Sequence, residues 1–325
     1  DLKKRNQIVT SSLIIAMVVA IICANTSAKE PVEQFLQTSI RFGIGSFESA
    51  RSIEWWVNDV LMVFFFLQVG LELKGEMKEG SMSDAKTRLA PCLAALGGIC
   101  CPAIIYAILN NGKGDMMNGW AIPTATDIAF AVCVLLLVSK NIPKSAKMFL
   151  LAIAIADDLG AVIIIALFYS QGVSMGMLGY ACIFVFLLYL LNKAQVTNFL
   201  PYMILGVGLW ICFHSGGIHT TIAGVVVAFT YPMHVQGEKE SPLHILSKTV
   251  TPWVNYLILP FFAFASAGLE LKGMTMETVK STLTLGVGLG LFLGKQIGIF
   301  ATTIALLKIK IASFPSTVTK MDIYG

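Results

Sequence analysis

Long stretches of uncharged, apolar residues follow one another along almost the whole chain, and this feature restricts its fold more than any other. Of the 325 residues, 56% are hydrophobic and 13% are charged, whereas a soluble domain carries about 25% charged residues. With a mean hydropathy of +0.77, the chain has too few polar side chains to cover a water-exposed surface. The composition therefore predicts a protein that crosses a membrane several times, and it excludes a nucleic-acid-binding protein, a disordered chain and a disulfide scaffold.

We predict ten membrane-spanning helices, because about 20 apolar residues cross a hydrocarbon core about 30 Å thick. The predicted spans are residues 8–24, 55–73, 90–109, 119–138, 146–169, 176–192, 199–213, 217–232, 250–270 and 283–307. With the N-terminus in the cytoplasm, most of the 23 lysine and arginine residues fall in inside segments, in agreement with the positive-inside rule. A cleaved signal peptide is the alternative interpretation of the first stretch. The pattern predicts an all-α polytopic membrane protein, with both ends of the ten spans inside.

The first outside loop, residues 25–54, is long for a connection in a compact domain. Within it, residues 39–48 consist of two short runs around glycines, a pattern that predicts a small β-hairpin on the membrane surface. An irregular loop is the alternative. Because an isolated hairpin is only marginally stable, we expect it to pair with a partner chain and form a homodimer.

A few ionisable side chains interrupt the apolar stretches. Each costs about 2.5–3.5 kcal/mol of insertion free energy at the centre of the membrane, and is therefore a candidate functional residue. The candidates inside the spans are Asp127, Asp157, Asp158, Lys295 and the shallower Asp59. Glu72 and Glu76 lie near an inside helix end, where a solvated helix terminus and a regulatory role explain them equally well.

Asp157 and Asp158 are the sharpest of these features, because two adjacent carboxylates interrupt one apolar helix. Neighbouring residues on a helix point about 100° apart, so at least one of the two must face a wet cavity. Two such carboxylates can hold a proton and release it in exchange for a hard cation that prefers oxygen ligands. A structural pair, tied to helix ends or to Lys295, is the alternative.

Asp127 lies in a stretch where Pro123 breaks the helix ladder and two threonines, Thr124 and Thr126, precede the carboxylate. Polar, broken backbone at membrane depth is tolerated where it lines a cavity or is buried in protein. The ends of a broken helix carry partial charges, which Asp127 and Lys295 can neutralise. Lys295 can also pair with an aspartate. His219 can titrate near neutral pH, although a purely structural histidine is equally consistent with its position.

Several motifs in order along essentially the whole chain closely resemble the NhaA family of sodium/proton antiporters. The motifs are WVND at 56–59, VGLE at 69–72, ATDIAFA at 125–131, AIADDLGAVIII at 154–165, LILPFFAFA at 257–265 and GK at 294–295. The resemblance implies twelve helices with two inverted three-helix repeats, whose discontinuous middle helices cross at the membrane centre. It implies one transporter domain over residues 1–325, ten of whose twelve spans are present.

The resemblance also implies roles for individual residues. Asp157 and Asp158 would bind Na⁺ and protons, Asp127 and Lys295 would compensate charge, and Thr126 and Asp59 would support the site. Glu72, Glu76 and His219 match positions linked to transport or pH response. The first loop matches a dimer-forming hairpin.

For the whole protein, the resemblance implies a secondary transporter rather than an enzyme. It would export sodium, and lithium, in electrogenic exchange for protons and would serve pH and sodium homeostasis. The expected location is the bacterial inner membrane, in contact with lipid, and no cofactor and no nucleic-acid partner are expected.

Two departures from the family pattern stand out. In the inside loop 241–252, Ser247, Lys248 and Thr251 replace acidic and histidine residues that are linked to pH sensing in the family. In addition, the sequence stops at Gly325, where an eleventh helix is expected, so we expect a fragment of a longer protein that lacks two spans.

Other functions remain as alternatives. A chain that ends at this point in the gene could be a truncated, non-transporting protein. A sodium-coupled symporter or a channel could use a related fold. An intramembrane aspartyl protease is a remote alternative, suggested only by the tetrapeptide GKGD at 112–115, which lies in a polar loop.

Overall fold

The computed structural model describes residues 2–44, 47–79, 85–125, 149–150, 152–154, 156–157, 160–161, 163–164, 168, 174–237 and 240–309. The chain divides into two compact units. The first unit comprises Asp1–Gly75 and Tyr169–Gly273, and the second comprises Glu76–Phe168 and Met274–Gly325. The prediction of one domain over residues 1–325 stays a prediction.

The first unit opens with a bent pair of helices followed by a hairpin. Helix α1 (Leu2–Ala24) and helix α2 (Lys29–Gln37) meet at a bend of 112°. Strands β1 (Ser39–Ile44) and β2 (Phe47–Ser52) then pair antiparallel, with Ser39 opposite Ser52. The structure therefore has the β-hairpin predicted from the glycine-containing runs.

Helix α3 (Ile53–Lys78) starts directly after the hairpin, and the Ser52 side chain caps it by accepting a hydrogen bond from Trp55 N. A π-helical turn, Val57–Leu61, interrupts its first half. The second half is apolar and buries Leu67 and Leu71 in the core of the unit.

The rest of the first unit is helical as well. It contains α5 (Met175–Lys193), α6 (Phe199–Ser215), α7 (Ile222–Thr230), α8 (Pro242–Trp253), a π-helical turn (Val254–Ile258) and α9 (Leu259–Ser266). Large buried side chains from α3, α5, α6 and α8 meet in one hydrophobic core. This core includes Leu71, Leu188, Tyr202, Leu209 and Leu243.

Two predictions for this region were wrong in detail. The predicted span 217–232 contains a helix of only nine residues, α7, because a turn at 216–221 precedes it. The predicted inside loop 241–252 is instead helix α8, which begins with Pro242 at its first turn, where the missing N–H of proline costs no hydrogen bond.

The second unit is built around two long helices. Helix α4 (Ala85–Asn110) contains Pro91 and Pro102, and a 3₁₀ helix (Gly114–Thr124) follows it. After a short turn of helix, α10 (Met276–Val279), the long helix α11 (Thr282–Ile309) packs along α4. Helical residues between 149 and 168 also belong to this unit; we call them the Asp157 segment.

Glycines allow α4 and α11 to approach backbone to backbone. A Cβ atom on Gly298 would lie 2.1 Å from the carbonyl oxygen of Gly97, and one on Gly294 would lie 2.8 Å from Pro102 Cα. Side chains at these positions would force the helices apart, so the small residues set the spacing.

Four helices in the described part of the chain are long and apolar enough to cross a membrane. They are Ile53–Lys78, Leu89–Asn110, Met175–Lys193 and Thr282–Ile309. The bent pair of Ile8–Ala24 and Lys29–Gln37 would add a fifth span if it crosses as one unit. The helices agree with a polytopic membrane protein, while ten spans and inverted repeats stay predictions.

Candidate functional site

The second unit contains a buried ion pair between two residues 138 positions apart in sequence. Lys295 Nζ donates a hydrogen bond to Asp157 Oδ2, and the two side chains are 11% and 3% exposed. Removing one partner of such a pair leaves an uncompensated charge in a low-dielectric environment, at a cost of about 3–5 kcal/mol. Among the described residues, Asp157 is therefore a partner of Lys295.

The position of Lys295 depends on an irregularity in α11. A π-helical turn, Gly290–Gly294, ends immediately before the lysine, and such turns occur often at functional sites. Gly294 and Gly298 on either side of Lys295 let α11 lie against α4. The lysine therefore lies in a helix whose backbone packs directly against its neighbour.

Small residues also position Asp157. Ile153 and Ala156 of the Asp157 segment pack in one buried cluster with Ala94 and Ala95 of α4. A Cβ atom on Gly160 would lie 2.3 Å from Ile99 Cδ1, so the glycine permits this close packing. Helix α4 thus supports both partners of the ion pair.

The residues predicted to accompany this pair are only partly described. Pro123 and Thr124 are buried, and Thr124 Oγ1 donates to Ala121 O at 2.7 Å. A Cβ atom on Gly290 would lie 2.8 Å from Pro123 Cβ, which places the end of the 3₁₀ helix against the π-helical turn of α11. Thr126, Asp127 and Asp158 lie outside the described residues.

Asp59 belongs to a polar cluster in the first unit. Its Oδ1 accepts a hydrogen bond from Thr220 Oγ1 at 2.9 Å, and its backbone oxygen accepts one from Trp210 Nε1 at 3.0 Å. His219 Nδ1 lies 2.9 Å from Thr221 Oγ1 in the same turn before α7. Asp59 itself lies in the π-helical turn of α3. The structure thus brings Asp59 together with the turn that carries His219.

The acidic residues near the end of α3 occupy a different environment. Glu72 is exposed and accepts a hydrogen bond from Gln68 Nε2 at 3.0 Å, and Glu76 is half-buried. Between them, Lys74 Nζ donates to the carbonyl oxygens of Phe229 and Tyr231 at 2.6 and 2.5 Å. A lysine at the end of α7 is favourable because the C-terminal carbonyls of a helix carry partial negative charge.

Sequence reasoning missed Lys74, Trp210 and Thr220. The sequence identifies Lys74 only as one of the basic residues on the inside, and no local pattern indicates that it reaches a helix 155 residues away. The sequence does contain a signal for Thr220, because Thr220 and Thr221 follow His219 at the start of an apolar stretch.

The positions that depart from the family pattern lie on helix α8. Thr251 Oγ1 donates to Ser247 O at 2.7 Å, one helical turn back. Lys248 lies 3.9 Å from Glu240, and both side chains are well exposed. An exposed pair at this distance contributes little to stability.

The tetrapeptide at 112–115 is an exposed turn rather than part of a buried site. Gly112 and Gly114 have φ angles of 74° and 58°, and Asp115 is exposed at the start of the 3₁₀ helix. The carboxylate of Asp115 is therefore exposed, and the tetrapeptide gives no support to the protease alternative.

The chain is similar to known proteins along almost its whole length. The family model described as "Na+/H+ antiporter 1" matches residues 2–325. The Na(+)/H(+) antiporter NhaA of Proteus mirabilis is 45% identical over 313 residues, which cover 96% of this chain and 80% of that protein. The proteins of the same name from Yersinia pseudotuberculosis and Yersinia pestis are 43% and 42% identical, and each alignment covers 96% of this chain and 79% of the relative.

Proposed function

Because this chain belongs to the NhaA family of Na⁺/H⁺ antiporters, it is a transporter rather than an enzyme, and we propose that Asp157, Asp158 and Lys295 form its ion-exchange site. The buried Lys295–Asp157 pair carries this proposal. A buried pair that served stability alone could be replaced by apolar residues at little cost, whereas an exchanger needs charges that can change partners.

Sodium and protons compete for the same carboxylates in this mechanism. In the proton-loaded state, Asp158 holds a proton and Lys295 neutralises Asp157, so the three groups together carry no net charge. In the sodium-loaded state, the two carboxylates supply oxygen ligands to the ion, and Asp157 separates from Lys295. The lysine, left without its counter-charge, then gives up its proton, so that the protons of Asp158 and Lys295 both leave for one sodium ion. Exchange is electrogenic when more than one proton leaves for each sodium ion that enters.

Access to the site alternates because one group of helices moves relative to the other around a fixed ion site. Inside, deprotonated carboxylates take up Na⁺, and Li⁺ by the same oxygen chemistry. Outside, protons driven by the inward gradient displace the cation. Asp127 and Lys295 compensate the charges of the broken helices, while Thr126 and Asp59 support the site.

Sodium binding at different pH values tests the competition. We expect the dissociation constant for Na⁺, measured by calorimetry, to rise about tenfold per pH unit of acidification for each proton that must leave. An affinity that does not depend on pH contradicts a shared site. Sodium flux in vesicles without proton counter-movement would instead indicate a channel or a symporter.

A substitution tests the assignment of the indispensable ligand. Asp158→Asn removes the charge with little change in shape, so we expect it to abolish exchange in vesicles while the protein stays folded. Asp115→Asn is the matched control, because Asp115 is exposed in a turn, and it should exchange normally. Full exchange by the Asp158→Asn variant contradicts the proposal.

The pH response is proposed to depend on Glu72, Glu76 and His219, while Ser247, Lys248 and Thr251 take no part. Pairing of the predicted outside hairpin between two copies is proposed to form a homodimer. Deleting residues 39–48 should then lower the dimer fraction in detergent without unfolding the monomer, and an unchanged fraction contradicts this role.

We further propose that the protein lies in the bacterial inner membrane with its N-terminus in the cytoplasm, where it serves sodium and pH homeostasis. The distribution of lysine and arginine supports this orientation. Labelling of single cysteines from either side of the membrane would test it, and outside labelling near residue 3 contradicts it.

A further inference from the structure

A deep apolar groove in the first unit has a cationic group at one end. Its volume is about 610 Å³, within the range of small-molecule sites. Side chains that recur every three or four residues form its two walls. One wall is Trp56, Val60, Val63, Phe64 and Leu67 of α3, and the other is Phe199, Met203, Val207, Trp210 and Ile211 of α6.

The back of the groove is formed by α7, which packs tightly against α3. A Cβ atom on Gly224 would lie 2.2 Å from Val63 O, so the glycine allows direct backbone contact. Ala223 and Val227 complete this surface. The groove is thus a cleft between two walls and not a shallow patch on one helix.

The polar end of the groove consists of Arg51 and His214. Arg51 Nη2 lies 3.4 Å from His214 Nε2, and the guanidinium carbon lies 5.2 Å from the centre of the Trp55 ring. His214 stacks on Trp210 with ring centres 5.6 Å apart. Aromatic contacts therefore hold both groups at the rim, and the five N–H donors of the guanidinium exceed what one imidazole can accept.

The tryptophans at this rim indicate its depth in the membrane. Trp55, Trp56 and Trp210 cluster there, and tryptophan is enriched at the level of lipid headgroups. From His214 to Met203, α6 descends about 17 Å at 1.5 Å per residue. One leaflet contributes about half of a hydrocarbon core about 30 Å thick. The groove therefore matches one leaflet in length.

We propose that this groove binds one phospholipid molecule, whose phosphate lies on Arg51 and His214 and whose acyl chain lies between α3 and α6. Arginine recognises phosphate oxygens with two parallel hydrogen bonds. The combination of one cationic end and a purely apolar body matches an amphiphile with a single anionic group. A two-fold axis would place the same surface of a second copy against the groove. That copy would bring another cationic rim to Arg51 rather than an anion.

Two pairs of variants separate the headgroup contact from the acyl contact. Arg51→Gln removes the charge at the rim, and Lys272→Gln is its control, because Lys272 is an exposed cation of the same unit outside the groove. Val207→Phe fills the groove from a position that is 53% exposed, and Ile204→Phe is its control, 62% exposed on the same helix but outside the groove. Both positions on α6 are exposed, which limits the effect of the larger side chain on folding.

The full chain in detergent is titrated with dioleoylphosphatidylglycerol, and bound lipid is counted by native mass spectrometry. We expect Arg51→Gln to weaken binding of the first lipid about tenfold or more, and Lys272→Gln to leave it unchanged. Val207→Phe should abolish this binding, whereas Ile204→Phe should not. Dioleoylglycerol, which lacks the phosphate, should bind as weakly to the wild type as the phospholipid does to Arg51→Gln.

A second measurement uses the tryptophans at the rim. Phosphatidylglycerol with brominated acyl chains should quench tryptophan fluorescence more in the wild type than in Val207→Phe. Equal lipid binding by Arg51→Gln and Lys272→Gln overturns the proposal, as does equal binding of the phospholipid and dioleoylglycerol by the wild type. A lower dimer fraction in Val207→Phe with unchanged lipid binding would assign the groove to a second copy instead.

Discussion

Two of the lysine–carboxylate pairs among the described residues differ sharply in their surroundings. Lys295 and Asp157 are buried between helices of the second unit, whereas Lys29 lies 2.5 Å from Glu270 at the surface of the first unit, with side chains 36% and 52% exposed. Water can replace either partner of the exposed pair, but it cannot solvate a charge left behind in the buried one. The exposed pair therefore contributes little to stability, whereas the buried pair limits the charge states that Lys295 and Asp157 can adopt.

Breaking the buried pair should have the largest effect. Lys295→Ala leaves the Asp157 carboxylate uncompensated, so we expect a loss of about 3–5 kcal/mol of unfolding free energy and an altered pH profile of exchange. Lys295→Arg keeps the charge and should retain part of the stability and part of the normal pH profile. If the melting temperature and the pH profile of Lys295→Ala equal those of the wild type, the pair is not the constraint inferred here.

A double variant tests directly whether Lys295 and Asp157 interact. In Lys295→Ala combined with Asp157→Asn, the uncompensated charge is gone, so part of the stability lost in Lys295→Ala should return. Strictly additive losses would mean that the two side chains do not interact.

Disrupting the glycine contact between α4 and α11, which supports the buried pair, should have the next largest effect. Gly298→Ala places a Cβ atom within 2.1 Å of Gly97 O, and overpacking of this kind costs about 1–3 kcal/mol. Gly288→Ala is the matched control on α11, because nothing lies within 4 Å of its Cβ position. Thermal unfolding in detergent should separate the two variants, and equal melting temperatures contradict the close approach of α4 and α11.

The polar cluster of the first unit should respond less strongly. Thr220→Val removes the hydrogen bond to Asp59 Oδ1, and such bonds in membrane proteins contribute about 0.6 kcal/mol on average. Thr249→Val is the control, since that side chain is exposed and bonds within its own helix. A change in exchange activity as large as that of Lys295→Ala would place Asp59 in the ion site itself.

Breaking the exposed pair should have the smallest effect. Lys29→Met and Glu270→Gln should melt close to the wild type, and any difference should shrink with added salt. The hydrogen bond to Glu270 raises the pKa of Lys29, so whatever the pair contributes is present at neutral pH and is lost as the pH rises through that raised pKa. A shift comparable to that of Lys295→Ala would contradict the comparison.

Irregular turns show where sequence reasoning stopped. Asp59 lies in one π-helical turn and Lys295 directly follows another, yet neither turn was predicted. An apolar stretch has the same hydropathy in an α-helix and in a π-helical turn. Its composition therefore does not reveal where one turn of the helix contains an additional residue. The glycines on either side of Lys295 do not identify the helix against which they pack, and only the structure shows that it is α4.

The sequence by itself determined the membrane class, the hairpin, the family and the residues that carry charge into the apolar segments. These follow from transfer free energies and turn chemistry, which depend on composition over a few neighbouring residues. Only the tertiary structure decided that Lys295 pairs with Asp157, that residues 242–253 form a helix, and that Lys74 reaches the end of α7. The two contacts depend on packing between segments distant in sequence, and a local pattern does not say which of several acceptable partners a side chain will meet.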